Sequence, residues 1–276
     1  EDFKESGLTA FVASLRSERR VLKNGKEWTM KDTTVLKQVG YLKWFLKWAV
    51  RKGYTDINDY VTFNPKLKIS SKRIIFLTLD EIKKLSDFKI PDNHPAWERI
   101  RDVCIFCCFS GLRHSDVYNL KKTDIINDCI DFTSQKDSEH LRIELNWVTR
   151  KIIEKYKDYK FKDNKLLPVI SNTKTNIQLK SLFKTAGFNE LLTDVSYRGG
   201  QRIEHTYEKW TKIGTHVGRK SFICNALALG VPVNVVMKWT GHSDYKAMKP
   251  YIDVADSIKA HYMHKLDINI KDYISF

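Results

Sequence analysis

Near the start of the chain, apolar residues fall at helical intervals: Leu8, Phe11, Val12 and Leu15 share one face. A longer helical pattern runs from Asp32 to Gly53, a glycine placed to cap it. Within it, Leu42, Phe45, Leu46 and Ala49 form an apolar stripe, while Lys43, Lys47 and Arg51, four apart, line a different face. Asn64 and Pro65 break the pattern, and the basic stretch from Lys66 to Arg73 reads as a linker. Thr78 and Glu81 then make a capping-box pair ahead of Ile82 and Leu85, which marks a fresh start. The expected division is a helical domain over 1–66, a basic linker over 67–76 and a second domain over 77–276.

The second region is mixed. Pro95 suits the first turn of a helix through Ile100, Val103, Cys104 and Cys107, ended by Gly111. Ile130, Phe132 and Ser134 alternate, then Leu141, Ile143 and Leu145, with Asp137 to His140 between them, which predicts a β-hairpin. Residues 166–188 carry no clear pattern. Gly199 and Gly200, flanked by strand-like sequence, suggest a second hairpin within 195–213. From Thr215, a good N-cap, the chain reads as helical to Gly230 and Pro232, and short helices fill the rest. The fold class is therefore mainly α with small antiparallel β-hairpins (α+β).

Charge narrows the choice of partner. The net charge is +15, which predicts attraction to a polyanion: DNA, RNA or an anionic membrane. Residues 1–75 hold +8 of it, so positive charge is concentrated in the first quarter. The apolar run from Val103 to Phe109 falls far short of the ~20 residues a membrane-spanning helix needs. The acidic start, Glu1 and Asp2, does not read as a signal peptide. Cys104, Cys107 and Cys108 lie in an apolar helical pattern without a matching second cluster, so they read as packed thiols and not as zinc ligands. Free thiols fit a reducing cytoplasm.

Several short pieces could carry chemistry. His216 and Arg219 are three apart in Thr-His-Val-Gly-Arg, at a helix start that favours anions. His242 follows Gly241 in a turn, and Tyr251 comes nine residues later. Upstream, Ser-Gly-Leu-Arg places Arg113 just past the buried helix, with Asp116 within reach of its head group.

The ordered set resembles the tyrosine recombinase family, also called the phage integrase family. That family carries an Arg in a Thr/Ser-Gly-Leu-Arg box, a Lys in a β-hairpin, a His-x-x-Arg pair, a Gly-His pair and a Tyr about nine residues on. Here the matching positions are Arg113, Lys136, His216, Arg219, His242 and Tyr251. The resemblance spans about 77–262, the N-terminal part is similar to the family's core-binding domain, and 198–230 looks most like integrases of mobile elements in Bacteroides-type bacteria. Departures are Lys220-Ser221 after Arg219, Thr240 where Leu is frequent, and Pro250, which by itself restricts Lys249 to extended backbone.

The resemblance implies a DNA recombinase that cleaves and rejoins strands through a 3′-phosphotyrosyl link to Tyr251. Two planar guanidiniums, Arg113 and Arg219, suit the non-bridging oxygens of such a transition state, and His242 can add a hydrogen bond. His216 suits acid/base or orienting work, Asp116 would orient Arg113, and Lys136 would protonate the leaving 5′-oxygen. No cofactor, metal or nucleotide is needed in this scheme. Lys43, Lys47, Arg51, Lys72 and Arg73 are the candidates for DNA backbone contacts. Implied partners are double-stranded DNA with specific attachment sites, further copies of the chain (a tetramer on DNA) and accessory DNA-bending proteins, in the bacterial cytoplasm at the nucleoid. The row Val254, Ile258, Tyr262 and Leu266 could dock on a neighbour or in cis. Two rivals stay open: a type IB topoisomerase, and a catalytically silent DNA-binding accessory protein.

Overall fold

Helices carry most of the chain, and the sheets are small. The computed structural model describes residues 3–21, 25, 27–70, 73–136 and 138–255. The first elements are α1 (Glu5–Ser17), β1 (Arg19–Val21), β2 (Glu27–Thr29), α2 (Asp32–Arg51) and α3 (Asp59–Thr62). There follow α4 (Leu79–Asp87), α5 (Ala96–Ser110), α6 (His114–Asn119), β3 (Ile125–Ile126), β4 (Cys129–Thr133), β5 (His140–Glu144), α7 (Trp147–Tyr156) and α8 (Asn172–Thr185). The last are β6 (Leu191–Arg198), β7 (Gln201–Glu208), α9 (Val217–Ala228), α10 (Val233–Thr240) and α11 (Tyr245–Ala255).

Contacts divide the chain into two compact units, Glu1–Arg73 with Leu191–Tyr207, and Ile74–Glu190 with Glu208–Phe276. The first unit buries Leu8 and Val12 of α1 against Val35, Val39 and Leu46 of α2, with Tyr60 and Phe63 closing the cluster. Gly53 takes positive φ just past α2, as the sequence suggested. Phe45 departs from expectation. It is 47% exposed, because Val35, Val39, Leu46 and Ala49 define the covered face and Phe45 lies off it, beside exposed Tyr41 and Trp44. The β1–β2 ribbon was not visible in the sequence, since strands of three residues are too short to alternate.

The hairpin β6–β7 belongs to this first unit. Gly199 and Gly200 both take positive φ, as a two-residue hairpin loop demands. Arg198 donates to the Thr29 carbonyl and lies over the Trp28 ring, and Ser70 Oγ donates to the Val195 carbonyl at 2.5 Å.

In the second unit, α5 is buried almost all round. Thr78 and Glu81 form the capping box read from the sequence, at the start of α4. Pro95 is the N-cap residue of α5 and Gly111 its left-handed C-cap. The predicted β-hairpin pairs Ile130 with Ile143 and Phe132 with Leu141, and its inner face joins Phe106, Leu112 and Leu120 in one core. The segment without a pattern contains α8. All five cysteines are buried free thiols. Among the described residues, no helix is long and apolar enough to cross a membrane.

Helix α9 crosses α5 at close range because Gly218 faces Cys107. A Cβ at Gly218 would lie 2.4 Å from Cys107 Cβ and 3.1 Å from the Cys104 carbonyl oxygen. Neither helix backbone can yield cheaply. Ser221 Oγ donates to the Val217 carbonyl and accepts from the Leu77 N–H, each at 2.8 Å, which ties the chain before α4 to α9. Gly218→Ala should therefore destabilise the protein by about 1–3 kcal/mol, the usual cost of overpacking. Chemical denaturation followed by circular dichroism would show it as a lower midpoint with an unchanged slope.

Candidate active site

The site is assembled from chain ends and turns of the second unit. Gly111 ends α5 in the left-handed conformation, where a Cβ would also strike the Phe222 ring at 2.5 Å. Two residues later, Arg113 caps α6 in extended backbone. His216 holds the N-cap position of α9, and Arg219 lies one turn inside it. Thr215 is not the cap, contrary to expectation. Its N–H is satisfied from outside by Asn176 Oδ1 at 3.0 Å, and the turn of helix begins one residue later.

Arg219 is 6% exposed, and its planar head spans two separate loops. Nη1 donates to the Gly111 carbonyl at 3.0 Å, and Nη2 donates to the Thr240 carbonyl. Nη2 also lies 3.4 Å from His242 Nε2. Thus the Ser-Gly-Leu-Arg turn and the Thr-Gly-His turn meet on one guanidinium. Charge-assisted hydrogen bonds to buried carbonyls are of the strong kind. Gly241 allows the second turn by taking positive φ after α10, and the His242 N–H closes on the Met237 carbonyl at 3.0 Å.

His216 reports how closely the other cations gather. Its pKa lies below the ordinary histidine value, first through partial burial, then through the positive charge of Lys220, Arg219, Arg113 and Lys136. Lys136 sits exposed in the turn between β4 and β5, where the sequence placed it. Tyr251 is half-buried on α11, packed against the cluster of Ile223, Ala226, Leu227, Val236 and Met248. Burial and the neighbouring Cys224 thiol raise its pKa, against a smaller lowering by Arg219. The hydroxyl is therefore protonated at rest and needs a proton acceptor to react.

Pro250 does not hold Lys249 extended. Helix α11 runs through both residues, since packing of Met248, Tyr251 and Ile252 on α9 and α10 outweighs the local preference. Asp116 is buried at 2%. Its Oδ1 accepts the Gln135 N–H at 3.2 Å, and its Oδ2 has no hydrogen-bond partner among the described residues. The contact it makes thus fastens the Lys136 turn to α6. Outside this cluster, Lys47 and Arg51 are exposed and Lys43 is half-buried on α2, while Arg73 approaches Asp194 at 4.0 Å. Lys72 lies outside the described residues, as do Ile258, Tyr262 and Leu266, whereas Val254 lies in α11.

Some neighbours were not singled out from the sequence. Lys212, Lys220, Asn172 and Asn176 line a cleft of about 340 Å³ beside His216. His114 Nε2 lies 3.1 Å from Thr175 Oγ1, and burial with the nearby His216 lowers its pKa as well. Only the basic residues of α9 carried a signal; α8 had no readable pattern.

The geometry finds its match among known proteins. The family model described as "Phage integrase family" matches residues 75–257, over half of the chain. The chain belongs to the phage integrase family. It is thereby of the tyrosine-type site-specific recombinases. Tyrosine recombinase XerD of Rickettsia prowazekii is 24% identical, over 79% of this chain and 71% of that protein. A tyrosine recombinase of Thermosipho africanus is 24% identical over 86% and 77%. The fold is similar to the Tn1549 transposon integrase solved with transposon right-end DNA, with TM-score 0.68, 14% identity, and 96% of this chain covering 85% of that one. It is also similar to a lambda integrase dimer bound to a core site, with TM-score 0.60 and 15% identity, where 92% of this chain spans 65% of the lambda chain.

The two depressed histidines make the integrase fold sensitive to acid. In the unfolded chain His114 and His216 take up protons near 6.5; in the folded protein they do so only at lower pH. The unfolded state therefore binds more protons in that window, and stability falls as pH drops through it. The thermal midpoint should decline between about pH 7 and about pH 5.5, a range above most carboxylate titration. A His114→Gln, His216→Gln double variant should show a flatter profile by differential scanning fluorimetry.

Proposed function

We propose that this protein breaks and rejoins DNA strands by transferring a phosphodiester to Tyr251. The observation that carries the reading is the convergence at His216 of cations from three separate chain segments, the Arg113 turn, the Lys136 turn and α9, with Tyr251 on α11 within the electrostatic reach of Arg219. A phosphodiester is the dianionic-in-transition-state group such a cluster suits.

Tyr251 Oη attacks phosphorus, and its proton passes to a local acceptor, for which His216 is suited because its depressed pKa keeps it neutral. The new P–Oη bond forms as the bond to the 5′-oxygen breaks. Lys136 gives a proton to that oxygen, and Arg113 and Arg219 hold the non-bridging oxygens, joined by His242. The 3′-phosphotyrosyl ester keeps the bond energy, so a second 5′-hydroxyl reverses the same steps on a new strand. Asp116 supports the scheme by tethering the Lys136 turn through Gln135.

The rest of the chain would grip the duplex. Lys43, Lys47, Arg51, Lys72 and Arg73 are proposed to meet DNA phosphates, which would steepen the salt dependence of binding. The division into a core-binding part over 1–66, a linker over 67–76 and a catalytic part over 77–276 is proposed with that role. Since the lambda integrase relative was solved as a dimer on its core site, self-association on paired attachment sites is part of the proposal, with a tetramer as the working unit.

The test uses a nicked suicide duplex from the ends of the element that carries the gene. A denaturant-resistant protein–DNA adduct is expected with the parent protein and none with Tyr251→Phe. No adduct on any such site would favour a silent DNA-binding protein, and relaxation of any supercoiled plasmid would favour a topoisomerase. Lys136→Ala should slow adduct formation by ~10²–10⁴-fold, the usual worth of general acid catalysis. A 5′-bridging phosphorothioate, whose thiolate leaves without a proton, should restore most of that rate.

A further inference from the structure

Thr240 is fully buried, and its hydroxyl meets two neighbours at short range. Oγ1 lies 2.6 Å from the Val236 carbonyl oxygen and 2.7 Å from His242 Nδ1. A hydroxyl has one proton and two lone pairs. Two oxygens 2.6 Å apart need that proton between them, because otherwise their lone pairs would repel. Thr240 therefore donates to Val236 and accepts from its other side. His242 Nδ1 must then carry a hydrogen.

The consequence falls on Nε2, the atom 3.4 Å from Arg219 Nη2. In the neutral ring with Nδ1–H, Nε2 bears a lone pair and can only accept. Such a ring cannot donate to a phosphate oxygen. Donation from Nε2 requires the imidazolium, in which both nitrogens carry hydrogens.

We propose that Thr240 is a positioning residue that locks His242 as the Nδ1–H tautomer, so that His242 contacts the phosphate only after taking up a proton. The inference rests on the recombinase reading for the identity of the phosphate, though not for the tautomer. The charged groups around His242 fit it. Arg219 of α9 lies 3.4 Å from the ring, and Lys238 of α10 and Glu139, His140 and Arg142 of the β4–β5 hairpin line the same cleft as His242. With three cations against one carboxylate, a further positive charge is opposed until the phosphate brings its own negative charge. A phosphate oxygen entering between Arg219 Nη2 and His242 Nε2 would then receive a hydrogen bond from each. Proton uptake and DNA engagement become one event.

The tautomer is read from two-bond ¹H–¹⁵N spectra of the DNA-free, ¹⁵N-labelled protein above about pH 8, where an ordinary histidine is neutral. A His242→Gln variant assigns the ring. The expected result is the Nδ1–H pattern in the parent and in Thr240→Ser, and a change to the Nε2–H pattern in Thr240→Val. An Nε2–H pattern in the parent overturns the proposal, whether or not any variant folds, and so does a Thr240→Val spectrum unchanged from the parent. In the suicide-duplex assay, parent adduct formation should weaken as pH rises through the histidine range, while Thr240→Val should hold its rate to higher pH. The other histidines are common to both proteins, so the difference between the profiles belongs to His242, and coincident profiles would overturn the proposal. Because the spectra need no DNA, a failed adduct assay with an Nδ1–H parent would count against the recombinase reading and leave the tautomer standing.

Discussion

The buried guanidinium of Arg219 holds the site together. It satisfies the Gly111 and Thr240 carbonyls, which end α5 and α10 respectively, and it lies on α9 between them. Each of those helices ends in a left-handed glycine. A helix end leaves carbonyls without partners, and burying them unpaired would cost several kcal/mol in total, roughly 1–3 for each. One arginine meets this need at both ends and fixes the spacing of the two turns that bear Arg113 and His242. A lysine could not do the same, since it lacks the planar fork that reaches two acceptors at once. The same side chain thus serves as a structural tie and, in the proposed reaction, as part of the charge that holds the phosphate.

The close approach of α9 to α5 is the second half of that arrangement. Arg219 reaches Gly111 only because Gly218, its neighbour, lets the helices meet at Cys107. Phe222, one turn further on, fills the space beside Gly111 that a side chain there would need. Three successive features of one helix, a missing side chain, a guanidinium and a ring, determine where the neighbouring turn sits.

Much of this was legible in the sequence. The capping box at Thr78, the hairpin around Ile130 and Ile143, and Gly111 as a helix stop each declare themselves through local chemistry. The six candidate residues stand in the sequence as an ordered set, and the described structure brings all six within electrostatic or hydrogen-bonded range of Arg219 or His216. What stayed hidden depends on tertiary partners. Nothing near Asn176 announces that it will hold the Thr215 N–H, 39 residues away. Phe45 looked like core because its residue type fits the core, but only the far side of α2 is covered. Lys249 followed its helix and not its proline because neighbours on both sides pack.

The site combines fixed and yielding parts, and the division follows burial. Arg219 is locked, and Tyr251 is wedged into an apolar cluster whose desolvation keeps its hydroxyl protonated. Lys136 stands exposed in a hairpin turn, tethered through the Gln135 N–H to buried Asp116. In the proposed reaction Lys136 gives its proton to a departing oxygen, and an exposed side chain on an anchored turn suits that step better than a buried one. The groups proposed to hold the phosphate have the opposite requirement, because reorganisation at the moment of reaction would waste their field. His242 lies between these extremes: its ring is held by Thr240, and under the proposal its charge is set by what binds. In the proposed reaction the protein would fix geometry in advance and leave the protonation state of one ring to the bound phosphate.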